Sequence, residues 1–309
     1  LDKSPHNSDL INVNGTRLHY LDWGGKGDVI LFLAGMGCNA HIFGHLAPRF
    51  TNRFHVMALT RRGHGESDHP ETGYDVDTLT EDIRQFLDTL GIEKVILAGH
   101  SMANVELSHF NFLYPERVLK LIYLDAAYDR NSASYKNLVE NSPWKKIQAP
   151  GLDVDYYTEK DYFAAMKRAY PSFTLIWTEA MEEQSLHEII KTSEGKITDK
   201  MSDMVSKSIM DTLTGYVLED SKIKASTLAF FSLSKGMNTI SDEWMTDEQK
   251  ALITEHVEMR ENLWTRESIE LFCQNVPHAK IIEIPQGHHY CFIEQEELIY
   301  KEMREFLLG

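Results

Sequence analysis

The sequence predicts an α/β protein, a mostly parallel, doubly wound sheet interrupted by a helical insertion. Three observations carry this expectation. Short apolar runs rich in β-branched and aromatic residues recur at residues 29–34, 54–59, 95–98 and 121–124, and again at 227–231 and 280–284. Such runs are the mark of strands buried on both faces, as in parallel sheets. Amphipathic stretches alternate with them, which places helices on both sides of the sheet. Between residues 130 and 221 the apolar runs stop and helical patterns take over.

In chain order, residues 10–13 and 16–23 flank Asn14-Gly15, a strong two-residue hairpin signal, and read as an antiparallel pair. After the runs at 29–34 and 54–59, Val76, Leu79, Ile83, Phe86, Leu87 and Leu90 form one stripe that ends at Gly91, a helix with its stop. Residues 101–114, closed by Pro115, form a second helix after the run at 95–98. Within 130–221, helices are expected at 158–169, opened by Thr158-x-x-Asp161, and at 174–190. Thr246-x-x-Gln249 opens another, and residues 297–308 make a final amphipathic one. The division expected is a core of 1–129 and 222–309 with a cap or lid of 130–221, roughly ninety residues, within the size of a small subdomain.

A net charge of −16 and the absence of any long basic run disfavour nucleic acid and anionic membrane surfaces as partners. No apolar run is long enough for a membrane span. Cys38, Cys273 and Cys291 make no zinc-ligand spacing and read as small buried residues, with one intrachain bridge left open. The lead from Leu1 to Asp9 is polar, so no signal peptide is expected within the numbered chain. Oligomeric state and compartment stay open.

Gly99-His100-Ser101-Met102-Ala103 falls between a predicted buried strand and a predicted helix. A G-x-S-x-small turn there is a nucleophile elbow, tight enough that only small residues can flank the serine. A serine hydroxyl is a weak nucleophile that needs a base, an acid to orient the base, and donors for the oxyanion. The base is expected after the last strand, where Pro285-Gln286-Gly287-His288-His289 offers two adjacent candidates.

On these residues the chain resembles an α/β-hydrolase-fold serine hydrolase over residues 10–127 and 222–309. Leu33-Ala34-Gly35-Met36-Gly37 resembles the family's His-Gly oxyanion turn, and Thr60-Arg61-Arg62-Gly63-His64-Gly65-Glu66-Ser67 its D-x-R-G-x-G-x-S loop. The family's terminal P-G-x-G-H-F run, laid on Pro285 onward, implies His289 as the base over His288. The resemblance further implies backbone donors at Met36 and Met102, and no cofactor or metal. The family's usual acid follows the strand at 227–231 in a G-x-x-D run, but residues 232–238 hold no carboxylate. Some members carry the acid one strand inward, which implies Asp125, with Asp129 as the alternate. Residues 60–63 and 123–130 resemble runs in bacterial hydrolases, often exported ones. Ala34, in place of the family's His, and Asn104, where Gly is usual, depart from the pattern.

A serine at the elbow excludes the alkyl-ester chemistry of epoxide hydrolases and haloalkane dehalogenases of this fold, which need a carboxylate there. The expected reaction is therefore hydrolysis of a small or medium neutral carboxylic ester or lactone through an acyl-enzyme on Ser101. Gly35, Phe43, His100 and Trp177 are expected to line the substrate pocket. An amidase, aminopeptidase or acyltransferase shares that chemistry. A rival of another class is a ligand-binding, receptor-like member with little turnover.

Overall fold

The computed structural model describes residues 5–151, 154–233, 240 and 243–309. The first four residues of the polar lead, and most of the 232–238 run, lie outside the described residues.

Strands β1 (Asn7–Val13) and β2 (Thr16–Gly24) form the expected hairpin, with both Asn14 and Gly15 at positive φ (45° and 74°), as a type I′ turn requires. Then come β3 (Val29–Leu33), β4 (His55–Leu59), helix α1 (Val76–Thr89), β5 (Val95–His100), α2 (Ala103–Leu113) and β6 (Val118–Leu124). Farther along the chain, β9 (Ser226–Leu233) and β10 (Lys280–Pro285) complete an eight-stranded sheet of order β1-β2-β4-β3-β5-β6-β9-β10. Apart from β1–β2 and β2–β4, every pair is parallel.

Alternation along the central strands divides the core into two layers. Leu31, Leu33 and Leu97 pack with Ile83, Phe86, Leu107 and Phe110 of α1 and α2. Ile30, Phe32 and Ile96 face Phe43, Phe50 and the last helix.

Between β6 and β9 lie α3 (Ala133–Glu140), α4 (Glu159–Ala169), α5 (Phe173–Ile176), α6 (Glu179–Glu188), a hairpin of β7 (Ile189–Lys191) and β8 (Ile197–Asp199), and α7 (Asp203–Gly215). The single helix expected at 174–190 is broken. Thr178 is extended (φ −94°, ψ 175°) and caps α6 by accepting from the Met181 amide, so the chain restarts there. The β7–β8 hairpin was not expected, since its side chains are mostly exposed and show no apolar alternation. Helix α7 brings Val205, Ile209 and Leu213 against Met102 and Val105 of the elbow region, and α3 packs Leu138 into the α1–α2 layer.

The chain ends with α8 (Asp247–Met259), opened by the Thr246–Gln249 capping box, then α9 (Arg266–Asn275), α10 (Cys291–Glu294) and α11 (Glu296–Leu308). All three cysteines are free, and Cys273 is exposed rather than buried as expected, because it lies on the outer face of α9. Among the described residues no helix is long and apolar enough to cross a membrane.

Phe43 is fully buried, its ring 4.9 Å from that of Phe32 and 5.2 Å from that of Phe292. Truncating such a ring leaves a cavity, so Phe43→Ala is expected to lower unfolding free energy by about 3–5 kcal/mol in a urea melt. An unchanged midpoint would contradict its place in the core.

Candidate active site

Ser101 stands at the junction of β5 and α2 with φ 56°, a left-handed conformation that a non-glycine residue holds only when its surroundings impose it. The turn leaves no room beside it. A Cβ on Gly99 would come within 2.7 Å of the Leu107 side chain and 2.8 Å of Ala103. A Cβ on Gly35 would meet His100 at 2.8 Å and Ser101 at 3.1 Å. The small residues of the elbow and of the facing turn are thus required by close approach.

His289 lies in the loop between β10 and α10. Its Nε2 is 2.9 Å from Ser101 Oγ, and its Nδ1 is 2.6 Å from Asp125 Oδ2. A carboxylate only accepts, so the proton sits on Nδ1 and Nε2 is left to accept from the serine hydroxyl. Asp125 follows β6 at φ 49° and is almost wholly buried. Its other oxygen accepts from the Tyr128 hydroxyl and, at 2.7 Å, from the Ser232 amide at the end of β9. Every lone-pair direction of this buried charge that matters therefore has a donor.

His288 points elsewhere. Its Nδ1 accepts from the Tyr290 amide at 3.0 Å, its carbonyl from Ser232 Oγ at 2.8 Å, and its amide donates to Glu294 at 2.7 Å. It braces the loop that carries His289. Asp129 lies apart from His289: its carboxylate accepts from the Asn131 amide at 2.8 Å and its carbonyl from Trp264 Nε1 at 2.7 Å.

Met102 follows the serine directly and Met36 follows Gly35, where a Cβ would meet Ser101 at 3.1 Å; among the described residues neither amide donates to a backbone carbonyl outside helices and strands. The turn at residues 34–37, expected to form the oxyanion hole, has Ala34 where the resemblance implies His, and Arg61 supports it instead. Arg61 Nη2 donates to the Ala34 carbonyl at 3.0 Å while the same guanidinium is paired with buried Glu106. Asn39, just beyond the turn, donates to the Gln184 carbonyl at 2.9 Å and to Glu188 at 2.8 Å, fastening the turn to α6.

Of the four residues expected to line a pocket, Trp177 borders a cavity of about 120 Å³ shared with Gly37, Phe163, Met166, Met181 and Tyr290. Phe43 does not, being consumed by the core as described above. His100 is buried beside His289, its Nε2 donating to the His289 carbonyl at 3.0 Å, and Gly35 packs on its ring.

Arg130 is a residue of this site that sequence reasoning missed. Its Nη2 is 3.4 Å from Ser101 Oγ and its Nη1 is 3.4 Å from Asn104 Oδ1. Asn104 in turn donates to the Tyr128 carbonyl at 2.8 Å, which accounts for its departure from Gly. The one available signal was that Arg130 closes the same run as Asp125. Away from this centre, His41, Glu183 and His187 each offer a ligand atom within 4.8 Å of the others, the two imidazoles stacked at 4.1 Å.

A family described as alpha/beta hydrolase fold matches residues 28–175. Epoxide hydrolase 4 of Mus musculus is 30% identical over 170 residues, covering 52% of this chain and 47% of that protein. The 2-(acetamidomethylene)succinate hydrolase of Mesorhizobium japonicum is 36% identical over 101 residues, covering 33% of this chain and 36% of that one. The chain thus spans about half or less of the length of these curated relatives. The crystal structure of E-2-(acetamidomethylene)succinate hydrolase aligns with a TM-score of 0.76 at 19% identity, over 99% of this chain and 100% of that one, a likeness of fold.

Burial, with repulsion from His289, pushes His288 down to about 4, and burial likewise lowers His19 to about 4 and His64 to about 3. These imidazoles stay neutral in the fold while the unfolded chain takes up protons near the ordinary value of about 6.5. Their contribution is complete above ~6.5 and is lost as pH falls toward 4, each group costing up to about 1.4 kcal/mol per pH unit. Urea midpoints are expected to fall from pH 7 to pH 5, and His288→Asn to make that fall shallower. An equal slope in the variant would contradict the assignment.

Proposed function

We propose that this chain, which carries the α/β-hydrolase fold, is a serine hydrolase that cleaves a small or medium carboxylic ester or lactone through an acyl-enzyme on Ser101. The observation that carries this reading is the Ser101–His289–Asp125 chain, with gaps of 2.9 and 2.6 Å. Serine rather than carboxylate at the elbow separates the reading from epoxide opening, which proceeds through an alkyl ester of an acid side chain.

His289 Nε2 takes the proton of Ser101 as Oγ bonds to the carbonyl carbon, and the carbonyl electron pair moves onto oxygen. The Met36 and Met102 amides stabilise that oxyanion. When the carbonyl re-forms, the alkoxide leaves with the proton from His289. Water then attacks the acyl-enzyme, giving His289 a proton that returns to Ser101 as the acid product departs. Asp125 holds the imidazole in the Nδ1–H tautomer and stabilises its charged form. Residues 130–221 act as a cap. This is supported by the Asn39 bonds to α6 and by Trp177 and Met181 bordering the small cavity beside Gly37 and Tyr290.

Amide cleavage through the same acyl-enzyme is the second reading, favoured by the likeness to a protein whose name carries an acetamido group. A panel of p-nitrophenyl esters, lactones and acyl anilides separates the two by kcat/KM.

A fluorophosphonate is expected to label wild-type protein stoichiometrically at Ser101, and a folded protein left unlabelled would overturn the proposal. Asp125→Asn is expected to lower kcat by roughly 10³–10⁴, as when the supporting acid of such a triad is neutralised. Asp129→Asn should leave kcat unchanged; the reverse pattern would move the acid to Asp129.

A further inference from the structure

Among the described residues three arginines are buried, Arg61, Arg62 and Arg130. Two are closed on carboxylates: Arg61 on Glu106 and Arg62 on Asp82. Arg130 is not. Its guanidinium has only the two long contacts, to the Ser101 hydroxyl and the Asn104 amide oxygen, and a face toward the Trp264 ring at 5.8 Å. Asp125 is nearby but is already committed to His289, Tyr128 and Ser232. Arg260 lies over the same Trp264 ring at 5.5 Å, adding positive charge to the neighbourhood.

A buried guanidinium cannot shed its proton to relieve its desolvation, so it is costly unless an anion meets it. Burial indeed presses Arg130 below the ordinary arginine range. A planar fork of donors is also the geometry that a carboxylate satisfies with two parallel bonds.

Resting on the acyl-enzyme reading above, we propose that Arg130 is a carboxylate-binding subsite, and that the substrate is a short acyl compound carrying a carboxylate close to the reacting carbonyl. The reach agrees. Arg130 Nη2 is 3.4 Å from Ser101 Oγ. With carbon–carbon bonds of about 1.5 Å, a carboxylate two or three bonds from the acylated carbon lies about 2.5–4 Å from it. The natural leaving group is thus released from a half-ester or half-amide of a short dicarboxylic acid. This replaces, at the site, the neutral substrate expected from the net charge of −16. The acidic exterior repels anions in general, and a buried cation beside the nucleophile selects the one anion that fits.

The test compares p-nitrophenyl hemisuccinate with p-nitrophenyl butyrate, acyl groups of similar length differing in the carboxylate, on wild type and Arg130→Gln. Wild type is expected to favour the hemisuccinate in kcat/KM, and the variant to lose about 30-fold or more of that ratio, the scale of a desolvated charge pair. A wild-type ratio at or below one overturns the proposal, as does a ratio unchanged in the variant. An equal loss on both esters would assign Arg130 to the oxyanion instead and also overturns it. Should Arg130→Gln not fold, Arg130→Lys takes its place, with a lowered ratio expected and an undiminished one decisive against. Fluorophosphonate labelling of the same wild-type sample keeps the two readings apart. Labelled protein without a carboxylate preference refutes only the Arg130 subsite, and unlabelled folded protein refutes the acyl-enzyme.

Discussion

A buried carboxylate has to be met by donors on every side, and the loops above the sheet are arranged around that requirement at Asp125. Its two oxygens gather the Tyr128 hydroxyl, the Ser232 amide and the His289 ring. Those groups come from the segment after β6, from the end of β9 and from the loop after β10, three neighbouring strand ends in the parallel part of the sheet. The positive φ of Asp125 is the local cost of turning its side chain back over the sheet, and the positive φ of Ser101 does the same one strand away. With both in place, a single imidazole spans the gap.

The same logic explains the supporting shell. Gly35 and Gly99 are small because two backbones and the His100 ring converge on the serine. Ala34 replaces the family's histidine without loss of support, since the Arg61 guanidinium, neutralised by Glu106, holds the turn from behind. Asn39 then carries the turn's position to α6. Ser101, the turn facing it and α6 are therefore mechanically one unit, as a preorganised site requires.

What could be read in the sequence follows from which physics is local. The buried strands were legible because burial on both faces leaves uninterrupted apolar runs, and α1 and the elbow because a stripe with a glycine stop and a tight turn are short-range demands. Asp125 and His289 were reachable through motif order, and the structure brings both to Ser101. The exposed β7–β8 hairpin and the loss of Phe43 to the core depend on tertiary packing that no window of sequence contains, whereas the break before α6 is a local Thr178 cap that apolar periodicity alone does not show. Arg130 is the instructive case. In the sequence it is one charge among many, and only the missing carboxylate beside it, visible in three dimensions, sets it apart from Arg61 and Arg62.

Bond cleavage through a covalent ester on Ser101 is what we propose for this site. Rapid-quench mass spectrometry during turnover of a p-nitrophenyl ester tests it most directly. An acyl-enzyme on Ser101 predicts a stoichiometric burst of p-nitrophenol with the acyl mass on the peptide that contains Ser101, appearing and decaying at rates that match turnover. Turnover with no adduct, or with the acyl mass on another residue, would contradict it.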